Sequence, residues 1–241
     1  MGLTISYTLT SKVERPEDAR SLVEKLRDRA SELSFKEVGE ILELQGRPAY
    51  DHKKLDRNDP LARLKIHASN YLQYSFNGEK YNAWVPPDHL IAFTIHPGNG
   101  CALADFGLCS YAETITDDGR RVATNLQGWQ WQSFCKTQYA SNPNCGGLPN
   151  FLHCHVGLVK LLDYAAELGI LARVVDEGGY WKNRDAAALV KQIEHWNQMM
   201  AGAVGQMKDT LEKLGEGTQS IMAEIVKFPN FEHLEAKGRN E

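Results

Sequence analysis

Apolar and polar residues alternate at the start of the chain, as they do in a strand with one buried face. The alternation covers residues 3–10, where apolar side chains take turns with hydroxyls, and it predicts a first strand. From Pro16 the apolar spacing becomes helical, and we expect an amphipathic helix to about Leu33. Residues 35–44 mix apolar side chains with glutamates and predict a second strand. The order predicts a β-α-β unit at the amino end.

The middle of the chain predicts strands and turns. Residues 45–88 have the weakest periodicity, and Asn77-Gly78 between aromatic runs predicts a hairpin there. Further strands are predicted at 90–95 and 106–115, and another runs from Trp129 to about Tyr139. We therefore expect several consecutive strands before the chain becomes helical again.

A second β-α-β unit is predicted near the carboxyl end. Asn150 can cap a helix that Gly169 ends, and an apolar run at 170–175 predicts a short buried strand. A long helix over 185–214 follows, with apolar residues at nearly heptad spacing. That helix is expected to pack on its own sheet, with dimerisation between two copies as the alternative.

These patterns together predict an α+β fold. We expect a mixed β-sheet with helices packed mainly on one face and two β-α-β units, one N-terminal and one C-terminal. The 241 residues fit one large domain, which we assign to 1–226 with any internal boundary near 45–88. Residues 227–241 are expected to form a polar C-terminal tail.

Composition and charge narrow the class of protein. The chain is 42% hydrophobic and 24% charged, an ordinary globular composition. It has 27 basic and 31 acidic residues, so its net charge of −4 favours neither nucleic acid nor an anionic membrane. Its apolar runs are shorter than the ~20 residues of a membrane span. Five cysteines without a CxxC pair and the lack of a basic-then-apolar leader favour a cytoplasmic protein.

The candidate site rests on topology, because the sequence contains no phosphate loop, GxSxG elbow or HExxH motif. If the strands ending near Tyr139 and Val175 are parallel neighbours, their carboxyl ends share one sheet edge, where ligands gather. We expect a small-molecule or anion site there, bounded by 138–153 and 176–184. Its predicted ligand-binding residues are Gln138, Tyr139, Gly146, Gly147, Asn150, Tyr180, Trp181, Lys182 and Arg184.

Four residues at this edge carry candidate catalytic groups. Asp176 and Glu177 follow a buried strand and could act as general base, although they could equally brace the next helix. Cys145 lies near a helix start, which favours a thiolate, and could act as nucleophile with His153. Zinc bound by His153, Cys145 and Asp176 is one alternative, and no metal is the other. His155, in contrast, is expected in the core.

Three functions therefore stay open at the level of sequence. The first is a protein that binds a small molecule or anion at the sheet edge. The second is a hydrolase, with or without a metal, that uses Asp176 or Glu177 with His153 and Cys145. The third is an interaction protein that dimerises through the helix at 185–214. The sequence assigns no cofactor.

Overall fold

The computed structural model describes residues 3–46, 59–213 and 224–239. Within these ranges the strands are β1 (Thr4–Ser11), β2 (Glu37–Val38), β3 (Leu42–Gln45), β4 (Asn70–Phe76), β5 (Glu79–Val85), β6 (His89–His96), β7 (Ala104–Ser110), β8 (Thr114–Asp117), β9 (Arg120–Ala123), β10 (Trp129–Lys136) and β11 (Leu171–Asp176). The α-helices are α1 (Pro16–Glu32), α2 (Pro60–Ala68), α3 (Gly147–Glu167), α4 (Tyr180–Asn183), α5 (Ala186–Lys213) and α6 (Phe231–Gly238). None of these helices combines the length and apolar character needed to cross a membrane.

A seven-stranded sheet organises the chain and confirms the α+β class. Its order is β11-β1-β10-β7-β6-β2, with β3 also paired to β6, and all these pairs are antiparallel. Two separate hairpins, β4-β5 and β8-β9, complete the strands of the described residues. The hairpin predicted at Asn77-Gly78 is confirmed as β4-β5. Both turn residues have positive φ, 51° and 85°, as tight hairpin turns require.

The strands of both β-α-β units run parallel but are not adjacent. β1 pairs with β10 on one side and with β11 on the other, so the expectation that β10 and β11 are direct neighbours is wrong. Helix propensity and strand periodicity are local properties, whereas the choice of pairing partner is made across the whole chain. Since both strands are antiparallel to β1, their carboxyl ends nevertheless lie at the same sheet edge as the amino end of β1.

One face of the sheet is the main core. Ile5 is opposite Asp176 in the ladder, and Asp176 contacts His155 of α3, so the side chains in register with Ile5 face α3. Tyr7 belongs to this set and stacks on Phe106 of β7 with ring centroids 4.6 Å apart. Helix α1 packs beside α3 over the same face.

The opposite face is covered only in part by the described residues. Helix α2 packs over β6 and β10 on that side, and Asp105, which precedes Phe106, faces it. Beyond α2, no helix of the described residues lies over the outward side chains of β1, β10 and β11. Ser6 and Thr8 are half-buried there, and Phe134 is 56% exposed. The sheet therefore has an open polar surface next to the end of α2.

The helix predicted at 185–214 buries the apolar heptad positions of its first half within the same chain. Leu189 and Ile193 are fully buried in a cluster with residues of α3. Further along α5, Met207 is 57% exposed, and Leu214 lies outside the described residues. The amino half of the helix thus packs within its own chain, mainly on α3 rather than directly on the sheet as expected.

The segment expected to be a polar tail, 227–241, is corrected by the structure. Its described part contains α6, whose Phe231 and Leu234 are buried against Ala201 and Val204 of α5. The apolar residues of this segment are spaced three apart, and that spacing gives the short helix one buried face. The end of the chain therefore packs on α5 as far as it is described.

Candidate functional site

The predicted sheet edge brings together the amino end of β1 and the carboxyl ends of β10 and β11. The backbone amide of Leu3 donates to Gln138 Oε1 at 3.2 Å, and that of Thr4 donates to Glu177 Oε2 at 2.9 Å. Gln138 is fully buried and also donates to Asn197 of α5 at 3.2 Å. Two of the predicted site residues therefore bind backbone and neighbouring side chains at this edge.

Asp176 belongs to a buried polar cluster at the same edge. Its Oδ1 lies 3.2 Å from His155 Nε2, and His155 Nδ1 lies 2.9 Å from Thr137 Oγ1. The amides of Gly178 and Trp181 donate to the Asp176 carboxylate at 2.8 and 2.7 Å. Burial by itself would raise the pKa of Asp176, but the nearby His155 ring and the hydrogen bonds from the two amides outweigh it and hold the pKa below its usual value. With His155 0% and the Asp176 side chain 1% exposed, this pair is closed to solutes.

The other candidate catalytic residues lie apart from Asp176. His153 is on the exposed side of α3, where its Nε2 lies 3.0 Å from the Ser34 carbonyl oxygen. Cys145 ends a 3-10 turn before α3 and borders a cavity of about 270 Å³. Among the described residues, no contact joins Asp176, His153 and Cys145. No group of three or more His, Cys, Asp and Glu side chains within the described ranges is arranged to hold a metal ion.

The predicted ligand-binding residues are spread along the edge. Asn150 donates to the carbonyl oxygens of Asn99 at 2.8 Å and Ala140 at 3.0 Å, so its amide holds loops together. Arg184 pairs with Asp163 at 2.7 Å. The remaining residues of the predicted set are half-buried or exposed along the edge: Tyr139, Gly146, Gly147, Tyr180, Trp181 and Lys182. An anion site at this edge stays a prediction.

A second histidine–aspartate pair lies on the other face of the sheet. The Asp105 carboxylate has no solvent exposure, and the Arg63 guanidinium binds both its oxygens at 2.6 and 2.7 Å. Thr94 of β6 donates to it at 2.8 Å, and His67 Nδ1 lies 2.7 Å from Oδ2. Arg63 and His67 meet one carboxylate because residues four apart share a helix face. Helix α2, which Asp59 caps, thus presents both groups to β7.

The Asp105 carboxylate fixes the protonation pattern of the His67 ring. Burial would raise the pKa of Asp105, but the hydrogen bond from His67 and the charge of Arg63 hold the pKa below its usual value. An ionised carboxylate only accepts hydrogen bonds, so Nδ1 must be the donor. In neutral His67, Nε2 is then the acceptor, and no described residue hydrogen-bonds to it.

His67 lies between two adjoining cavities, which we call the groove. The larger is about 460 Å³ and the smaller about 240 Å³. Thr8, His67 and Gln132 line both, and Arg173 of β11 lines the larger one. Arg173 is exposed and makes no ion pair within the described part of the chain. The groove is therefore the open sheet surface next to α2, bounded by an imidazole and a guanidinium.

This site is not among those predicted from the sequence, although two signals for it are present there. Arg63 and His67 are four apart in a segment that reads as a short helix, and Asp105 is the one acid between Ala102 and Leu108. An acidic side chain inside an apolar strand requires a buried partner. The periodicity of the sequence does not identify which residues are the partners of Asp105.

The groove offers three kinds of group to a ligand. Hydroxyls and amides of β1 and β10 supply neutral hydrogen bonds, Arg173 supplies a positive charge, and His67 supplies a nitrogen that can gain or lose a proton. Such a set suits a polar molecule with an anionic group. The chain itself matches no family model, no curated protein and no solved structure.

Proposed function

We propose that the protein binds a small polar molecule with an anionic group in the groove and that His67 exchanges a proton with it. The observation that supports this most is the His67–Asp105 pair. Its carboxylate is fully buried, whereas its histidine is 36% exposed and lines both cavities. A histidine held in this way by a carboxylate is the arrangement that general acid–base catalysis uses.

Arg63 alone would be enough to anchor α2 on the sheet. Its two hydrogen bonds neutralise Asp105 and satisfy one site on each oxygen. The contact of His67 with Asp105 is not needed to neutralise the carboxylate. It orients the exposed His67 ring, and the second ring nitrogen is left for a ligand. We infer that the function of His67 is at the groove.

The size and charge of the groove support a small anionic ligand. Its larger cavity, about 460 Å³, lies within the ~300–1,000 Å³ typical of small-molecule sites. Arg173 can pair with a carboxylate or phosphate through its planar guanidinium. Thr8 and Gln132 lie between Arg173 and His67 along the groove and can bind the neutral part of the ligand.

A thermal-shift and calorimetric screen tests the proposal. Inorganic phosphate, glycerol 3-phosphate and succinate serve as probes, and at least one should raise the melting temperature of the native protein. His67→Gln and Arg173→Gln should each remove that shift. His89→Gln is the matched control, because His89 also pairs with a carboxylate, Glu43, at 2.7 Å but lies outside the groove.

Proton exchange has its own readout. Binding measured in buffers of different ionisation enthalpy should show proton uptake or release, and His67→Gln should abolish it. Equal shifts in the native protein and both groove variants, or no shift with any probe, would refute the site. Binding with no uptake or release of protons would support a binding protein and would contradict the acid–base role of His67.

We also propose a cytoplasmic location. All five cysteines are free thiols in the structure, which is the usual state in reducing compartments. The test is fractionation of source cells with an antibody against the chain. Recovery in a secreted fraction would contradict it.

Dimerisation through α5 is retained as a second candidate on one observation. Met199 and Met207 of that helix are 37% and 57% exposed. Sedimentation of the native protein and of Met207→Glu should show a dimer that the variant loses. A monomer at all concentrations would exclude this candidate.

A further inference from the structure

Cysteines from three different elements converge where the loop after β6 meets α3. Cys101 belongs to that loop, Cys135 to β10 and Cys154 to α3. Cys101 packs against the buried cluster that contains Cys154, and the Cys135 thiol donates to the carbonyl of Ala102, the residue next to Cys101. The Cys101 thiol interacts with both of those thiols. Cys101 is half-buried, while the other two are buried. We call these three cysteines, with Cys101 next to each of the other two, the thiol cluster.

The packing of the loop fixes this arrangement. Asn150 of α3 donates to the Asn99 carbonyl at 2.8 Å and so clamps the loop to the helix. A Cβ placed on Gly98 would lie only 2.5 Å from the Cys154 sulfur, so the loop backbone rests directly on that thiol. The Cys135 thiol donates to the Ala102 carbonyl at 3.2 Å. Both buried sulfurs are thereby held against the loop that carries Cys101.

Cys101 is the member of the thiol cluster that a reagent can reach. It lines the cavity of about 270 Å³, together with Lys136, Tyr139 and Cys145. Cys135 and Cys154 do not line it. Cys109 offers the contrast within the same chain, because it is fully buried in β7 and its thiol donates to the Gln130 carbonyl at 2.9 Å.

We propose that Cys101 is a modification site that reacts with low-molecular-weight disulfides and that Cys154 then closes an intrachain disulfide with it. This inference is independent of the groove. The Cys101 thiolate attacks one sulfur of the small disulfide, and the first small thiol leaves. Cys154, after losing its proton, attacks the Cys101 sulfur and releases the second small thiol. Two protein thiols are oxidised, and one disulfide is reduced to two thiols.

Cys154 is the better resolving thiol of the two that contact Cys101. Its hydrogen-bonding contact outside the cluster is a long one, 3.8 Å to Asn150 Oδ1. The Cys135 thiol is engaged at 3.2 Å with a backbone carbonyl. A Cys101–Cys154 bond also joins the loop to the helix on which it already rests.

The rate of the reaction should depend on pH. The contact of Cys101 with Cys135, together with burial, raises the pKa of the Cys101 thiol above its usual value. The thiolate is the nucleophile, so its fraction is small at neutral pH and grows with pH. We expect a slow reaction whose rate rises about tenfold for each unit of pH below that pKa.

Thiol counting tests the proposal on the full chain. The protein is incubated with oxidised glutathione at about pH 8.5, denatured and alkylated, and its peptides are mapped. Cys101 and Cys154 should both become unreactive and appear as a Cys101–Cys154 link. Cys154→Ser should stop at a glutathione adduct on Cys101, and in Cys101→Ser the Cys154 thiol should stay reactive. Cys109→Ser is the control and should behave like the native protein.

Several outcomes would overturn the inference. Five reactive thiols after prolonged incubation, or an unchanged loss of thiols in Cys101→Ser, would remove Cys101 as the site. A link from Cys101 to Cys135 would refute the role of Cys154. Cys101→Ala provides a second variant if the serine disturbs folding, and circular dichroism of each variant confirms that the compared proteins are folded.

Discussion

The two histidine–aspartate pairs of this protein use the same chemistry in opposite surroundings. In both, a carboxylate with almost no exposure binds a histidine, at 3.2 Å for Asp176 and His155 and at 2.7 Å for Asp105 and His67. His155 has no exposure, and both its nitrogens face protein groups. His67 is exposed, and its Nε2 has no hydrogen-bond partner among the described residues. A buried carboxylate thus stabilises the fold when the histidine ring beside it is fully enclosed. When part of that ring is exposed, the same contact orients the histidine for a ligand.

The difference comes from the helices that cover the two faces of the sheet. Helix α3 has 21 residues and lies over the core face, so His155 is enclosed from every side. Helix α2 has nine residues and ends at Ala68, immediately after His67. The sheet continues beyond that end as the open surface of β1, β10 and β11. The length of α2 therefore decides that His67 meets solvent.

The largest effect should follow from breaking the enclosed pair. Asp176→Ala removes the acceptor for two amides and leaves His155 without its partner, which should lower the free energy of unfolding by about 4 kcal/mol. Denaturation in urea measures it. Asp163→Ala is the control, because its ion pair with Arg184 is exposed and should contribute well under ~1 kcal/mol. Similar losses in both variants would contradict the bracing role.

Breaking the second pair at its carboxylate should cost somewhat less. Asp105→Asn leaves the Arg63 charge unpaired, but Arg63 is partly exposed, so we expect a loss of about 3 kcal/mol. Ligand binding in the groove should be lost at the same time, since His67 is no longer held in one tautomer. The same urea experiment, run beside the calorimetric screen, tests both expectations. Full binding with reduced stability would mean that Asp105 anchors α2 and does nothing more.

Sequence periodicity predicted the positions of the helices and strands better than it predicted which strands pair. The alternation of residues 3–10 and the helical spacing after Pro16 depend on short-range geometry, and both elements form where expected. The insertion of β1 between β10 and β11 depends on contacts between residues far apart in the chain. Asp176 was placed at the correct sheet edge, because the ends of both strands do meet there, but the direct pairing was wrong.

The candidate site shows the same limit at the level of side chains. His155 was expected in the core, and the structure confirms it. The partnership of Asp105 with Arg63 and His67 joins residues about 40 positions apart, and it requires knowing that α2 crosses the second face of the sheet. A lone acid in an apolar strand signals a buried partner, but no local pattern names that partner.

Acid should destabilise the native protein through both carboxylates. Asp105 and Asp176 have pKa values lowered on folding, so the unfolded chain binds more protons at low pH. Their contribution is fully present above the unfolded value of about 3.9 and is lost as pH falls below it. Asp176→Asn should therefore show a flatter loss of stability below about pH 4 than the native protein. Parallel curves from urea titrations at pH 2.5 to 5, a range set around that value of about 3.9, would show that Asp176 titrates normally in the folded state.

The smallest expected effect on stability separates the two histidines. His67→Gln should change the free energy of unfolding by less than about 1 kcal/mol, because the ring is 36% exposed and Asp105 keeps Arg63 and Thr94. The matched substitution His155→Gln should cost at least about 2 kcal/mol, since it disturbs a fully buried contact on both sides of the ring. Urea titrations of the two variants give the comparison directly. Equal losses would mean that His67 also braces the fold, and the exposure of its second nitrogen would then no longer argue for a ligand.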